Sequence, residues 1–237
     1  MPADAAGKAA PAPALMDGLA TLSPTDISLL YQDDALLVLN KPAGLLSVPG
    51  RGLDKQDCLS SRVAHHFPDA LVVHRLDMAT SGLLVMARTS AAQQRLNAAF
   101  SARQVHKRYV ATVYGNCSED GPAQWHTIEL PILVDWPRRP LRKIDPEHGK
   151  PSTTRWRCIS FDATTNSSRL ELEPLTGRSH QLRVHMLATG HPIVGDALYA
   201  PPDVAAIGAR LMLHASELAF GHPQSAAPLR FDCPCPF

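Results

Sequence analysis

The chain has 237 residues, with 23 Lys and Arg against 22 Asp and Glu. That length suits one large domain or two small lobes, and the formal net charge of +1 gives no bulk attraction to a polyanion, so any nucleic-acid surface must come from local clustering. Five cysteines (Cys58, Cys117, Cys158, Cys233, Cys235) are odd in number and scattered, which argues against a disulfide framework and leaves the lone Cys233-x-Cys235 pair two ligands short of a closed zinc site.

Residues 1–24 are Ala- and Pro-rich with few large apolar side chains, which predicts a flexible leader ahead of a single domain over 25–237. The N-terminus lacks the basic start and apolar core of a secretory signal. No apolar run reaches the roughly 18 residues of a membrane span, so a soluble cytoplasmic protein is expected. Order is expected from near Ile27. Leu36-Leu37-Val38-Leu39-Asn40 predicts a buried strand, entered through Asp33-Asp34 and broken by Lys41-Pro42-Ala43-Gly44. Leu71-Val72-Val73-His74 and Leu83-Leu84-Val85-Met86-Ala87 predict two more. The polar, Gly-ended connection between them, Arg75 to Gly82, puts Asp77 just past a strand end, where a rigid scaffold holds an irregular backbone.

Ser90 is the expected N-cap of a helix running to about Arg103, with Leu96, Ala99 and Phe100 on its inner face. Strands are predicted over Tyr109 to Tyr114, Arg155 to Phe161 and Arg169 to Glu173. A helix follows over 178–189, stopped by Gly190 and Pro192, and strands near Leu211 and Phe231 close the chain. Many strands with two clear helices predict an α+β fold on a mostly antiparallel mixed sheet with flanking helices and loops.

Two basic segments stand out. Arg138, Arg139, Arg142, Lys143, Lys150, Arg155 and Arg157 lie against only Asp145 and Glu147, flanked by Trp136 and Trp156, and Arg103, His106, Lys107 and Arg108 form the second. Both read either as phosphate contacts, favoured by release of condensed counterions, or as solvated faces.

Three segments carry candidate chemistry: His74-Arg75-Leu76-Asp77 with Thr80-Ser81-Gly82, Lys107-Arg108-Tyr109, and Thr176-Gly177-Arg178-Ser179-His180-Gln181-Leu182-Arg183-Val184-His185. An arginine in the first turn of a helix is disfavoured by the dipole by roughly 0.3–1 kcal/mol. Arg178 at that place therefore calls for a compensating anion, and Asp77 is the candidate, either as a fold-holding ion pair or as part of a site. Kinase, P-loop and nucleophile-elbow patterns are absent. No closed set of metal ligands and no second catalytic carboxylate of a glycosidase stands out.

These segments, with Lys41-Pro42-Ala43-Gly44-Leu45 before them and Gly190-His191-Pro192-Ile193-Val194-Gly195-Asp196 after, resemble the RluA family of pseudouridine synthases, in order, over about residues 27–233. Leu46 to Arg51, Asp135-Trp136-Pro137 and Arg139-Pro140 are similar to its short dual-specificity branch, and Lys41-Pro42 comes too early to leave room for an S4-type RNA-binding module. The resemblance implies a pseudouridine synthase catalytic fold and an isomerase of rRNA and tRNA processing. It implies hairpin-loop substrates at uridine 746 of 23S rRNA and uridine 32 of the tRNA anticodon loop. It implies Asp77 as the essential carboxylate, with Arg75, Tyr109 and Arg178 binding substrate: Arg178 paired to Asp77, Tyr109 stacked on the uracil, and Arg75 filling the vacated stack. His180, Gln181 and Arg183 are expected as scaffold or phosphate contacts. No cofactor and no metal are expected, because the reaction has no redox change, and a monomer is the default. The competing expectations are another RNA target, a non-catalytic RNA-binding protein on the same scaffold, and a hydrolytic glycosidase.

Overall fold

The computed structural model describes residues 20–22, 27–118 and 124–237. In chain order the strands begin with β1 (Ala20–Leu22), β2 (Ile27–Gln32) and β3 (Leu36–Lys41), followed by helix α1 (Leu59–Ala64). Then come β4 (Leu71–Val72), β5 (Ser81–Ala87), helix α2 (Ser90–Ser101), β6 (His106–Tyr114), β7 (His126–Glu129), β8 (Ile132–Val134), β9 (Arg142–Ile144), β10 (Thr153–Asp162) and β11 (Ser167–Pro174). Helices α3 (Gln181–Ala188) and α4 (Pro202–Ile207) precede β12 (Leu213–Gly221) and β13 (Pro228–Asp232). Most of the leader expected over 1–24 lies outside the described residues, but Ala20–Leu22 within it form a strand paired antiparallel with β2.

One sheet runs β1-β2-β3-β5-β12-β6-β11-β10-β7, with β4 on β5 and β13 on β12, and β8-β9 is a separate hairpin. Its pairings are antiparallel except one, β5 beside β12, so the predicted α+β class with a mostly antiparallel mixed sheet is what folds. Local chemistry sets the turns. Asp33 Oδ1 accepts from the backbone N–H of Ala35 and Leu36 at 2.7 and 2.8 Å, fixing the β2-β3 turn as an Asp side chain does when it mimics a main-chain acceptor. β5 is buried along its whole length, as a central strand covered on both faces must be. One face carries Val38, Leu83, Val85 and Leu96 and the other Leu37, Leu39, Leu84 and Met86.

Two of the boundaries that differ from expectation are set by side chains. Helix α2 is capped by Thr89, not Ser90: Thr89 is extended, and its hydroxyl accepts from Ala92 N at 3.1 Å. Strand β4 stops at Val72 because the next partner on that edge of β5 is a side chain. The imidazole Nε2 of His74 accepts from Val85 N at 3.0 Å, and its ring stacks on Phe100 at 4.6 Å.

The parallel contact positions the site. His214 and Ala215 of β12 pair with Ser81 and Gly82 at the start of β5, while Ala215 pairs with Tyr109 on its other side. Gly82 has φ +111°, and a Cβ there would lie 2.3 Å from Ala215 O, so only glycine allows the two halves of the sheet to meet at this point. The Asp77 loop, which runs into β5, is thereby set one strand away from Tyr109.

Three histidines away from the Asp77 loop's cleft are held neutral, above all by burial: His74, pushed down to about 3, His214, pushed down to about 4, and His185, also lowered. His185 is clamped between Thr154 Oγ1 and Leu130 O, each at 2.9 Å. The unfolded chain takes up these protons near pH 6.5 while the folded chain does not, so stability falls as pH drops below about 6.5. Each group contributes up to about 1.4 kcal/mol per pH unit until its folded value is reached. Urea unfolding at pH 7.5, 6, 5 and 4.5 is expected to show a steady decline, shallower in His74→Gln, which keeps an acceptor for Val85. A flat profile would contradict the assignment.

Candidate active site

The loop from Arg75 to Thr80 is pinned from two sides. Ser47 Oγ donates to Leu76 O at 2.7 Å and accepts from Leu76 N at 3.1 Å. Lys41, fully buried, donates from Nζ to Pro42 O and Leu45 O at 2.8 Å and to Met78 O at 3.1 Å. Burial pushes its pKa down to about 8, with the negative charge of Asp77 working the other way. Thr80 N closes a turn onto Asp77 O at 3.1 Å. Asp77 therefore sits on a backbone with little freedom, its side chain 26% exposed.

The cation facing Asp77 is Arg183. Its Nη1 lies 3.5 Å from Asp77 Oδ2. Its Nε and Nη2 donate to Asp196 Oδ2 and Oδ1 at 2.8 and 2.6 Å, with both side chains of that pair almost wholly buried. An arginine is tolerated at such depth when a carboxylate meets it bidentately. Asp196 also accepts from Leu198 N and Tyr199 N at 3.0 and 3.2 Å.

A second side chain approaches Asp77. His180 Nε2 lies 3.9 Å from Asp77 Oδ2, and His180 Nδ1 is 2.6 Å from Tyr199 Oη. Tyr199 Oη accepts from Arg142 N at 2.9 Å. The arrangement that uses every donor has the Tyr199 hydroxyl donating to Nδ1, which leaves the imidazole proton on Nε2, toward Asp77. Burial lowers the His180 pKa, with the Asp77 charge opposing, so the ring is neutral at pH 7. His180 itself adopts a left-handed backbone, φ 58° and ψ 16°.

Asp77, His180 and Arg183 line a cleft of about 110 Å³, with Arg75, Tyr109 and Arg178 on its walls. Tyr109 packs between two core clusters. Its phenol is held protonated, first by burial and then by the Asp77 charge. Arg75 is exposed. Among the described residues, no three His, Cys, Asp or Glu side chains gather as a metal set, and no helix is long and apolar enough to cross a membrane.

The expected Arg178–Asp77 pair is not formed. Helix α3 begins at Gln181, not at 178. Gln181 Oε1 accepts from Arg178 N at 3.1 Å and from Thr176 Oγ1 at 2.7 Å, holding the preceding segment as a turn outside the helix. From there the exposed Arg178 guanidinium reaches Pro151 O at 3.5 Å. The dipole argument had no helical turn to act on. Arg183, expected as scaffold or a phosphate contact, takes the place beside Asp77. Gln181 is scaffold as expected, bonding Thr153 O and Thr154 Oγ1 at 2.9 and 3.0 Å. Asp196 and Tyr199 were missed. The signal for Asp196 was an arginine on the inward face of a predicted helix, since a buried guanidinium demands an anion.

The basic segments divide. Arg155 is paired to Glu173, and Arg108 and Arg157 to Glu171, and all three lie over Trp125, so that part of the run is neutralised within the sheet. Lys143 is paired to Asp145. Arg139, by contrast, faces no carboxylate among the described residues, and its guanidinium lies over Trp136 at 4.2 Å.

A carboxylate, a buried arginine and a tyrosine thus face one cleft. The profile for RNA pseudouridylate synthase matches residues 35–188, and the chain belongs to that family. It is an RNA pseudouridine synthase of the RluA type, an isomerase: it is 48% identical over 209 residues to the dual-specificity RNA pseudouridine synthases RluA of Yersinia pestis and Escherichia coli K12, covering 88% of this chain and 99% and 93% of theirs. The Vibrio vulnificus protein of the same description is 46% identical, over 91% of this chain and 87% of its own. Among solved structures, human RNA pseudouridylate synthase domain containing 1 superposes with a TM-score of 0.73 at 32% identity, covering 89% of this chain and 84% of that one.

Proposed function

We propose that Asp77 is the carboxylate that acts on the ribose of an extruded uridine. We take the substrates to be uridine 746 of 23S rRNA and uridine 32 of the tRNA anticodon loop. The observation that carries the site reading is the Asp77 carboxylate on a pinned loop, 3.5 Å from buried Arg183, at a cleft walled by Tyr109. The dual-specificity description of the relatives at 48% identity supports two RNA classes.

The reaction breaks the N1–C1′ bond, turns the uracil and joins C5 to C1′, and the C5 proton leaves to solvent while N1 gains one. Atoms and electrons balance without a redox partner, so the reaction calls for no cofactor and no metal. An ionised carboxylate at this position can attack C1′ or take the 2′ proton, and both steps gain from a site that excludes water. Extruding the base costs a few kcal/mol. Stacking on Tyr109, worth roughly 1–3 kcal/mol, offsets part of that, and exposed Arg75 can occupy the vacated stack. Arg178, on the same wall and facing no carboxylate among the described residues, is set for a phosphate of the target strand. Unstacked hairpin loops suit such a site. We take the working form as a monomer with its domain over 25–237.

The test is tritium release from 5-³H-uridine RNA, on the 23S hairpin around uridine 746 and on a tRNA anticodon stem-loop, followed by position mapping. Conversion at those two uridines with no free uracil is expected. Release confined to other positions would replace the target assignment, and free uracil would replace the reaction.

A further inference from the structure

The β8-β9 hairpin carries features that the cleft does not use. Its tip spans Asp135 to Leu141, closed by the Val134–Arg142 pair. Trp136 stands on it 62% exposed, where a tryptophan is costly to leave in water. The tip is stiffly held. Buried Asp135 takes Arg138 Nε and Nη2 at 2.7 and 2.6 Å. Backbone bonds run from Asp135 N to Leu141 O and from Leu141 N to Arg138 O, each at 3.0 Å. The guanidinium of Arg139 lies over the Trp136 ring at 4.2 Å.

This hairpin is wired to the cleft. Arg142 N, at its neck, donates to Tyr199 Oη, which contacts His180, the neighbour of Asp77. Trp136 is two residues from Val134, at most about 7 Å of chain. The contacts through Tyr199 and His180 thus join the neck of the hairpin to one wall of the cleft.

The geometry points to Trp136, backed by Arg139, as a stacking platform for a second unpaired nucleobase of the RNA, one that is bound and not modified. This rests on reading the cleft as the uridine site. Charge favours RNA over a protein partner: Arg139 has no carboxylate partner among the described residues, and Arg142 spends its guanidinium on Pro140 O and Leu141 O. An indole with a cation on one face is the kind of surface on which a base stacks without sequence demand. Because the tip is already fixed, little ordering entropy opposes the contact.

The test uses a fluorescently labelled tRNA anticodon stem-loop and reads affinity by polarisation, which reports binding whether or not the uridine is converted. Failure of the catalytic reading therefore leaves the outcome intact. Trp136→Ala is expected to weaken binding roughly tenfold, and Trp136→Phe to restore most of it. In turnover, KM rises much more than kcat falls. Trp136→Ala removes no charge, so the slope of log K against log salt holds, whereas Arg139→Gln, which removes a cation from the tip, makes it shallower. A hairpin that merely collapsed would displace its arginines and flatten the slope in both. Abasic substitution at one loop position other than the target should cost as much as Trp136→Ala and should not add to it. Unchanged affinity in Trp136→Ala, a flattened slope, or full additivity at every loop position would each overturn the platform.

Discussion

Asp77→Asn is expected to leave a folded, RNA-binding protein whose turnover is lower by at least roughly 10³-fold, the scale set by losing a group that takes part in the bond changes. The substitution keeps the shape and removes the charge. Stability should barely move, because Asp77 is a quarter exposed and is not the main partner of Arg183. Its contact is 3.5 Å, against 2.6 and 2.8 Å for Asp196, so the buried guanidinium stays compensated when the Asp77 charge goes. With Asp77 partly open to solvent and the contact that long, the pair is worth about 1 kcal/mol or less. RNA affinity should hold or rise slightly, since one negative charge facing a polyanion has been removed. Tritium release with thermal unfolding on the same preparation separates the cases. Turnover within tenfold of the parent would remove Asp77 from the chemistry, and loss of folding would make it a structural residue.

The sequence made the strands legible where burial imposes a simple pattern. The apolar runs Leu36–Leu39 of β3 and Leu83–Ala87 of β5 read directly, because where a strand is covered on both faces successive positions are apolar rather than alternating. Boundaries failed where a side chain does a backbone's job. His74 replaces a strand partner on β5, and Gln181 gathers Thr176 and Arg178 into a turn that delays helix α3 by three residues. Neither act leaves a periodicity. The site was legible where short motifs carry it: Arg75 and Asp77 on one loop and Tyr109 on β6 all line the cleft. The cation was misassigned because it depends on where a helix starts. Asp196 and Tyr199 are supplied from beyond α3, and only tertiary packing reveals that they complete the setting of Asp77.

Arg183 and Asp196 make the second large expectation, and their effects on stability and on turnover should come apart. Arg183→Met leaves Asp196 buried at 1% exposure with no cation, which costs roughly 3–5 kcal/mol of stability. Asp196→Asn should cost less, because Arg183 keeps Asp77 as a carboxylate partner and the amide oxygen still accepts from Leu198 and Tyr199. That same escape is harmful to catalysis: with Asp196 neutral, the guanidinium closes on Asp77 and ties up the oxygens that must meet the ribose. Turnover is expected to fall about 10²-fold in either variant, a typical cost for a displaced or unsupported catalytic group. The double variant Arg183→Met/Asp196→Asn has no buried charge left to compensate, so it should be more stable than Arg183→Met alone and far from additive. Its turnover should nevertheless stay low, since Asp77 has lost the only arginine within ion-pair distance among the described residues. Urea unfolding and single-turnover rates on the four proteins of this cycle decide it. Turnover that recovers with stability in the double variant would reduce Arg183 to a packing element, and the charge beside Asp77 would have no part in the reaction.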